Sequence, residues 1–349
     1  MGTPAIGNLD EDDYLEVVVS GYTSSGDVFI VNHDGSSSSV EINEKALGGV
    51  SLADFNNDNI DEIIIATENN DMICMIDYLG QIDTLLTAED KFKGASGVLD
   101  VDGQKIILAG SNDSNLYALD STSEIIFTYN AGDEINSSPS FIQTTDGALI
   151  VIGSDDGFLH GVYSDGSTPS GWPVYLGNAV GTSSFSDLDG DGSPEILVGA
   201  GNYIHALDLN GDYFNSNHFP LQTEFSITSA PIIVDFDQDN DLEIIVGTSA
   251  DVVVIDVMNE GGISTGYWNL DRGGEHRKGY YESDLYCGTI FPGDVNCDSN
   301  VDIFDIVSIV NIILDISNPS EMELWSADIN QDQTIDVNDI LIIINDVLD

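Results

Sequence analysis

Asp187-Leu188-Asp189-Gly190-Asp191-Gly192-Ser193-Pro194-Glu195, followed at once by Ile196-Leu197-Val198-Gly199, is the stretch on which the reading of this chain turns. Oxygen-bearing side chains stand at positions 1, 3, 5 and 9 of the acidic run. Alternation along a tight turn points three carboxylates at one centre, and glycine lets the backbone curl round it. The carbonyl of Ser193, at position 7, faces the same way, and Glu195 closes the ring. Such a set supplies the roughly six to eight hard oxygen ligands that Ca²⁺ prefers, without the strict octahedron of Mg²⁺. The apolar run behind it, bounded by a small residue, reads as a β-strand.

The same grammar recurs. Asp235, Asp237, Asp239, the carbonyl of Asp241 and Glu243 repeat it; so do Asp54, Asn56, Asp58, the carbonyl of Ile60 and Glu62, and Asn8, Asp10, Asp12, the carbonyl of Tyr14 and Glu16. One isolated Asp-x-Asp reads most simply as a solvated turn. Four in register, each leading into a β-branched strand, read as calcium loops. Two further units keep the strand and lose the loop: Asp100-Val101-Asp102-Gly103 is truncated, and Thr144-Thr145-Asp146-Gly147 holds one carboxylate. The small residues after the six apolar cores are Ser20, Ala66, Ala109, Gly153, Gly199 and Gly247, spaced 46, 43, 44, 46 and 48 positions apart. A period of about 45 residues with several short strands per unit predicts a mainly β fold, a propeller of at least six four-stranded blades.

Composition narrows the function. The chain of 349 residues holds 62 Asp+Glu against 7 Lys+Arg, a formal net charge of −55. Seven cations cannot furnish a basic groove for nucleic acid, and an anionic membrane surface would repel the chain. Self-repulsion on this scale calls for bound cations or external salt. No apolar run approaches the roughly 18 residues of a membrane span. The start, Met1-Gly2-Thr3-Pro4, carries no secretory leader and opens directly on a strand, Pro4–Leu9, so the expectation is a chain that begins inside a longer secreted or cell-surface product.

Units one, two, five and six resemble FG-GAP (integrin α-type) calcium repeats. Gly171-Trp172-Pro173-Val174 and His218-Phe219-Pro220-Leu221, each approaching an acidic loop, are similar to secreted bacterial propellers of that group, as is Trp268-Asn269-Leu270-Asp271-Arg272-Gly273 after the last blade. The resemblance covers about residues 3–282 and implies structural calcium in loops between strands, about four ions, with no reaction attached.

After Tyr281 the pattern changes. Asp294-Val295-Asn296-Cys297-Asp298-Ser299-Asn300-Val301-Asp302-Ile303-Phe304-Asp305 and Asp328-Ile329-Asn330-Gln331-Asp332-Gln333-Thr334-Ile335-Asp336-Val337-Asn338-Asp339 are two twelve-residue loops of EF type. In the first, Asp294, Asn296, Asp298, the carbonyl of Asn300, Asp302 and Asp305 are candidate ligands. In the second they are Asp328, Asn330, Asp332, the carbonyl of Thr334, Asp336 and Asp339. A helix is expected after each, Asp305–Leu314 and Asp339–Leu348, with the aspartate as N-cap. Tandem loop–helix units of this length resemble a type I dockerin over about residues 291–349, which implies two more calcium ions and a cohesin-like protein partner. Position 6 departs from glycine, being Ser299 and Gln333. In that family positions 10 and 11 help choose the partner; here they are Ile303-Phe304 and Val337-Asn338. The expected divisions are a propeller at 1–282, a linker at 283–290 and the dockerin-like domain at 291–349.

Helix patterning adds a surface. Ile306, Ile309, Val310 and Ile313 form one stripe, Ile340, Ile343, Ile344 and Val347 another; Val307, Ile312, Leu314, Leu341, Ile342 and Leu348 fall outside them. Two helices this short cannot bury apolar residues all round, so some are expected at an interface, with a cohesin or with the chain's own propeller.

No catalytic constellation emerges. His33, His160, His205, His218 and His276 are scattered, without metal-ligand spacing. Arg272, Arg277 and Lys278, with Tyr267, Trp268, Tyr280 and Tyr281, read either as a seal on the last blade or as a small acidic-glycan site. Trp172 and Trp268 read as core rather than sugar platforms. Cys74 reads as a buried free thiol, and a Cys287–Cys297 bridge is expected. The reading is a non-catalytic extracellular binding or scaffold propeller; the alternative is a component of extracellular polysaccharide degradation, attached through its dockerin, with a polysaccharide partner.

Overall fold

A computed structural model describes the chain apart from residues 1, 13, 22–26, 102, 145, 216–217, 240, 259–260, 275, 284–291, 294, 296–300, 302, 315–320, 331–333 and 349. It divides into two compact units, the first Met1–Ile142, Gly147–Gly190 and Pro194–Ser283, the second Gln143–Asp146, Asp191–Ser193 and Asp284–Asp349.

The first unit is built of six sheets. Sheet one holds β1 (Ala5–Gly7), β2 (Glu16–Ser20), β3 (Asp27–Val31) and β4 (Ser37–Glu41); sheet two holds β5 (Val50–Ala53), β6 (Glu62–Ala66), β7 (Met72–Ile76) and β8 (Ile82–Thr87). Sheet three holds β9 (Gly97–Val101), β10 (Gln104–Gly110), β11 (Asn115–Leu119) and β12 (Ile125–Asn130); sheet four holds β13 (Ser140–Thr144), β14 (Gly147–Gly153), β15 (Phe158–Tyr163) and β16 (Val174–Tyr175). Sheet five holds β17 (Val180–Ser186), β18 (Glu195–Ala200), β19 (Tyr203–Leu207) and β20 (Leu221–Gln222); sheet six holds β21 (Ile232–Val234), β22 (Glu243–Gly247) and β23 (Val252–Asp256). Each is an antiparallel meander in sequence order, the blade of a β-propeller. Two blades depart from four strands. Blade six has three among the described residues, and blade three gains a fifth, β24 (Tyr280–Glu282), which pairs with β9 in parallel.

Burial falls outward through each blade. In blade two, β5 and β6 are buried at every position, whereas β8 is mostly exposed. The cause is the period of two along a strand combined with neighbours on both faces. Ile63 and Ile65 of β6 enter a core shared with Ala5, Val18 and Val28 of blade one; Ile64 and Ala66 enter another with Val98, Ile107 and Ala109 of blade three. A buried isoleucine of this kind contributes about 1.5–3 kcal/mol. Trp172 and Trp268 are core residues, as the sequence suggests, and Cys74 is a buried free thiol.

The first strands stand side by side. The Ser51 hydroxyl donates to the Ser96 carbonyl at 2.7 Å, and that of Ser184 to the Pro231 carbonyl at 2.6 Å, each one blade period away. An irregular segment, 263–283, then runs along these strands. Carbonyls of Trp268, Asn269, His276, Lys278 and Gly279 accept the N–H groups of Phe185, Ile233, Ile6, Leu52 and Val98 at 2.7–3.0 Å. The Trp268 ring meets Phe141 of blade four edge-on, centroids 5.0 Å apart. One strap thus touches the first strand of every blade, visiting five, six, one, two and three in turn. Between Asn269 and His276 the strap passes from blade six to blade one, and so links the last sheet to the first. Arg272 is its buried pin: 2% exposed, donating to the carbonyls of Ser96 and Val50 and to the Ser51 hydroxyl.

In the second unit α1 (Ile303–Ile313), α2 (Glu321–Ala327) and α3 (Val337–Leu348) are helical. α1 and α3 begin two residues earlier than expected, so Asp305 and Asp339 lie in the first turn rather than at the N-cap. Their buried carboxylates accept the N–H groups of Val295 (2.8 Å) and Asp336 (2.9 Å) instead. The small core gathers Val295, Ile309, Ala327 and Ile343, with Ile306, Ile312 and Ile340 against it. Ile312, expected outside the stripe, is thus inside; Ile313, expected within it, is 39% exposed.

Candidate metal centres

Three features shape the propeller loops, and two of them, both hydrogen bonds, recur in all four. The closing glutamate, anchored at the start of the second strand, turns one oxygen to the N–H of loop position 2. Glu16 accepts from Leu9, Glu62 from Phe55 and Glu195 from Leu188 at 2.8 Å, and Glu243 from Phe236 at 2.5 Å. The position-5 carboxylate accepts the N–H of position 7. Asp12 takes Tyr14, Asp58 takes Ile60, Asp191 takes Ser193 and Asp239 takes Asp241, over 2.7–3.2 Å. Position 4 turns left-handed in three loops, at Asn57 (φ 60°), Gly190 (φ 73°) and Gln238 (φ 66°). Only at Gly190 is glycine also required by space, because a Cβ there would meet the Gly261 carbonyl.

The four closing glutamates are 1–5% exposed. A carboxylate buried beside other carboxylates resists ionisation. Burial pushes Glu16 and Glu62 above the usual carboxylate range, helped by Asp10 and Asp12 at the first and by Asp58 and Asp54 at the second. Desolvation and the charges of Asp239 and Asp256 raise Asp241 to about 6. A divalent ion at the centre of such a loop would favour the charged form of these groups.

Carboxylate convergence differs between loops. Asp187, Asp189 and Glu195 each bring an oxygen within 4.8 Å of the others; so do Asp235, Asp237 and Asp239, and Asp239, Asp241 and Glu243. The first loop gathers Asp12 and Glu16 with His33, which the sequence did not mark; Asp10 accepts the Asp12 N–H at 2.9 Å. Asn8 donates its side-chain amide to the Asn59 carbonyl at 2.5 Å, while its Oδ1 is buried without a partner. The second loop forms no such three-way grouping among the described residues. There Asn56 donates to Glu62 at 2.8 Å, and Asp54 takes the N–H groups of Asp58 and Asn59.

Units three and four carry no loop of this kind, and Asp100 shows what replaced it. Its buried carboxylate holds Lys105 at 3.3 Å and the Tyr280 hydroxyl of the strap at 2.9 Å. The basic cluster does not seal the last blade: Arg272 is buried in the strap against blades two and three, and Lys278 pairs with Asp61 at 2.8 Å. His205 is packed, its Nδ1 2.7 Å from the Tyr213 hydroxyl, and burial lowers it to about 4.

In the C-terminal loops Asp294, Asn296, Asp298, Asn300, Asp302 and Asp332 lie outside the described residues, as does the Cys287–Cys297 pair and the side chains of Ile303 and Phe304. Among the described ligand candidates, Asp339 draws in the N–H groups of Asn330 and Asp336, at 3.3 and 2.9 Å. Val337 and Asn338 are exposed at the start of α3.

Residues 187–246 match the family model of the FG-GAP-like repeat, and residues 292–348 that of the Dockerin type I domain. The chain matches no curated protein. Among solved structures it is similar to one titled "Crystal structure of BBS1N in complex with ARL6DN, soaked with mercury": TM-score 0.54, 16% identity, over 72% of this chain and 78% of that one. It is similar too to the same complex "soaked with lead": TM-score 0.54, 14% identity, over 76% and 83%. At such identities the likeness shows the fold alone. Residues 187–246 thus carry an FG-GAP-like repeat within a β-propeller, and residues 292–348 a Dockerin type I match, a protein-docking module.

Proposed function

We propose that this chain is a non-catalytic, calcium-binding extracellular propeller that a dockerin-like module, about residues 291–349, joins to a protein partner of cohesin type. The carrying observation is the recurrence in four loops of one buried glutamate held by the same loop amide, Leu9, Phe55, Leu188 and Phe236 in turn. A turn that only needed to be soluble would have no use for a buried carboxylate in each repeat. The proposed ligands are those of the four propeller loops and the two C-terminal loops given above. Calcium neutralises part of the −55 charge and stiffens the connections between first and second strands. The Val337-Asn338 corner and the start of α1 form the docking face.

Calorimetric titration of the metal-stripped chain with calcium, followed by capture on an immobilised cohesin domain with and without calcium, tests this reading. Saturable calcium uptake with calcium-dependent capture is expected. A chain that takes up no calcium, or is captured equally well in chelator, overturns it.

A further inference from the structure

The first acidic loop differs from the other three in having an imidazole at its mouth. Nδ1 of His33 lies 3.5 Å from Oδ2 of Asp12. His33, Asp12 and Glu16 each offer an atom to a set whose members lie within 4.8 Å of one another, and no other such grouping among the described residues contains a histidine. His33 is held in place by Tyr14, the loop's seventh residue, whose ring stacks on it with centroids 4.1 Å apart and planes at 26°.

A second observation points to a ligand. Glu16 is 1% exposed; one oxygen takes the Leu9 N–H, and Oε1 is buried with no hydrogen-bond partner. Leaving a carboxylate oxygen dry and unpaired is costly, and a bound cation removes that cost.

We propose that this loop is a mixed nitrogen–oxygen site, which takes a divalent transition cation of the zinc class through Nδ1 of His33 with Asp12 and Glu16, in preference to calcium. It rests on the reading of residues 8–16 as a cation loop. Calcium takes oxygen ligands, whereas imidazole suits zinc, cobalt, nickel and copper. Bonds of about 2.0–2.1 Å in a tetrahedron put neighbouring ligand atoms roughly 3.3–3.4 Å apart, close to the separation of Nδ1 and Oδ2 here. The side chains of His33 and Asp12 are 40% and 44% exposed, which leaves an ion a way in from solvent. The other three loops, all oxygen, keep their preference for calcium.

The test uses the full chain, stripped of metal, saturated with calcium and then titrated with zinc, and separately with cobalt as a spectroscopic probe. His33→Phe keeps a ring against Tyr14 and removes the nitrogen. Expected are one tight zinc equivalent that excess calcium does not displace, a loss of about tenfold or more in its affinity in His33→Phe, and an unchanged calcium response at the other loops. The ring nitrogens of one histidine should shift on zinc addition and cease to do so in the variant. Zinc affinity and cobalt spectrum unaltered by His33→Phe, with calcium still bound, overturn the mixed site and leave the calcium loops standing. Loss of neither metal in Glu16→Gln sinks the cation loop itself, and the mixed site with it.

Discussion

Arg272 donates from Nη2 to the Ser51 hydroxyl at 3.0 Å, across 221 positions of sequence. The guanidinium serves blades two and three at once, because its planar fork also reaches the carbonyls of Ser96 and Val50. It is fully desolvated, and burial lowers it to about 10, so it remains charged at neutral pH.

Arg272→Met should therefore be among the most damaging single changes in the propeller. It takes away a buried charged donor shared by two carbonyls and a hydroxyl, a loss of about 2–4 kcal/mol. Arg272→Lys should recover little, because an ammonium cannot span the three acceptors. Chemical denaturation at saturating calcium measures both. A cost under about 1 kcal/mol for Arg272→Met would show that the strap is not held by this pin.

Chelation should lower the melting temperature sharply. A loop occupied at a hundredfold excess of calcium over its Kd adds about 2.7 kcal/mol to the folded state. Glu195→Gln should weaken uptake at the fifth loop, where Asp187 and Asp189 converge with it, whereas Asp146→Asn should change nothing. The second loop, whose Asn56 amide already occupies Glu62, should take calcium more weakly than the fifth and sixth. Scanning calorimetry with metal analysis tests the first claim and titration of the variants the others.

Acid should destabilise the calcium-loaded chain through His205. Its folded value, about 4, lies below the ordinary 6.5, so the unfolded chain takes up a proton that the folded one refuses. That contribution is whole above pH 6.5 and is lost as pH falls towards 4, roughly 3 kcal/mol in all. His205→Phe should flatten this part of the pH profile relative to the parent. In the same direction, Asp241 is raised to about 6 in the metal-free chain and is protonated below that pH, so calcium uptake at the sixth loop should weaken there. A parent and variant with parallel stability profiles between pH 7 and 4.5 would discard the His205 account.

The docking face should lie at the start of α3. Val337 is 61% and Leu341 50% exposed. Val337→Asp and Leu341→Asp should each weaken capture by a cohesin domain about tenfold or more, as removal of an apolar anchor does, with far-UV dichroism unchanged. Asn338→Ala should have little effect. Undiminished capture by both charged variants would move the face elsewhere.

The repeat, the strands and the acidic loops were legible because each rests on local rules: a period of two along Ile63–Ala66, a small residue behind it, and oxygen at alternate positions of a turn. The strap was not. Trp268 to Gly279 follows no period, and its role lies in carbonyls aimed at five different strands, which side-chain pattern does not encode. His33 was passed over for a related reason. It lies beyond β2 and β3 in sequence, and only the folding back of that hairpin brings it to Asp12. α2 escapes sequence reading because Glu321–Ala327 is only seven residues long, too short to set up a helical period. The start of α1 was misjudged because Asp305 spends its carboxylate on Val295, within the loop, and not on the helix amides.

The strap also orders events during synthesis. Ile6 leaves the ribosome long before His276, yet the carbonyl that its N–H requires belongs to His276. Each blade can fold as a local meander as it emerges, but the circuit has no closing contact until almost the whole propeller has been made. Contacts of such long sequence separation make folding slow, and the open intermediate displays unpaired first strands for that interval. A calcium-rich exterior would then matter twice, because loops such as Asp187–Glu195 could lock individual blades before the last segment arrives to join them.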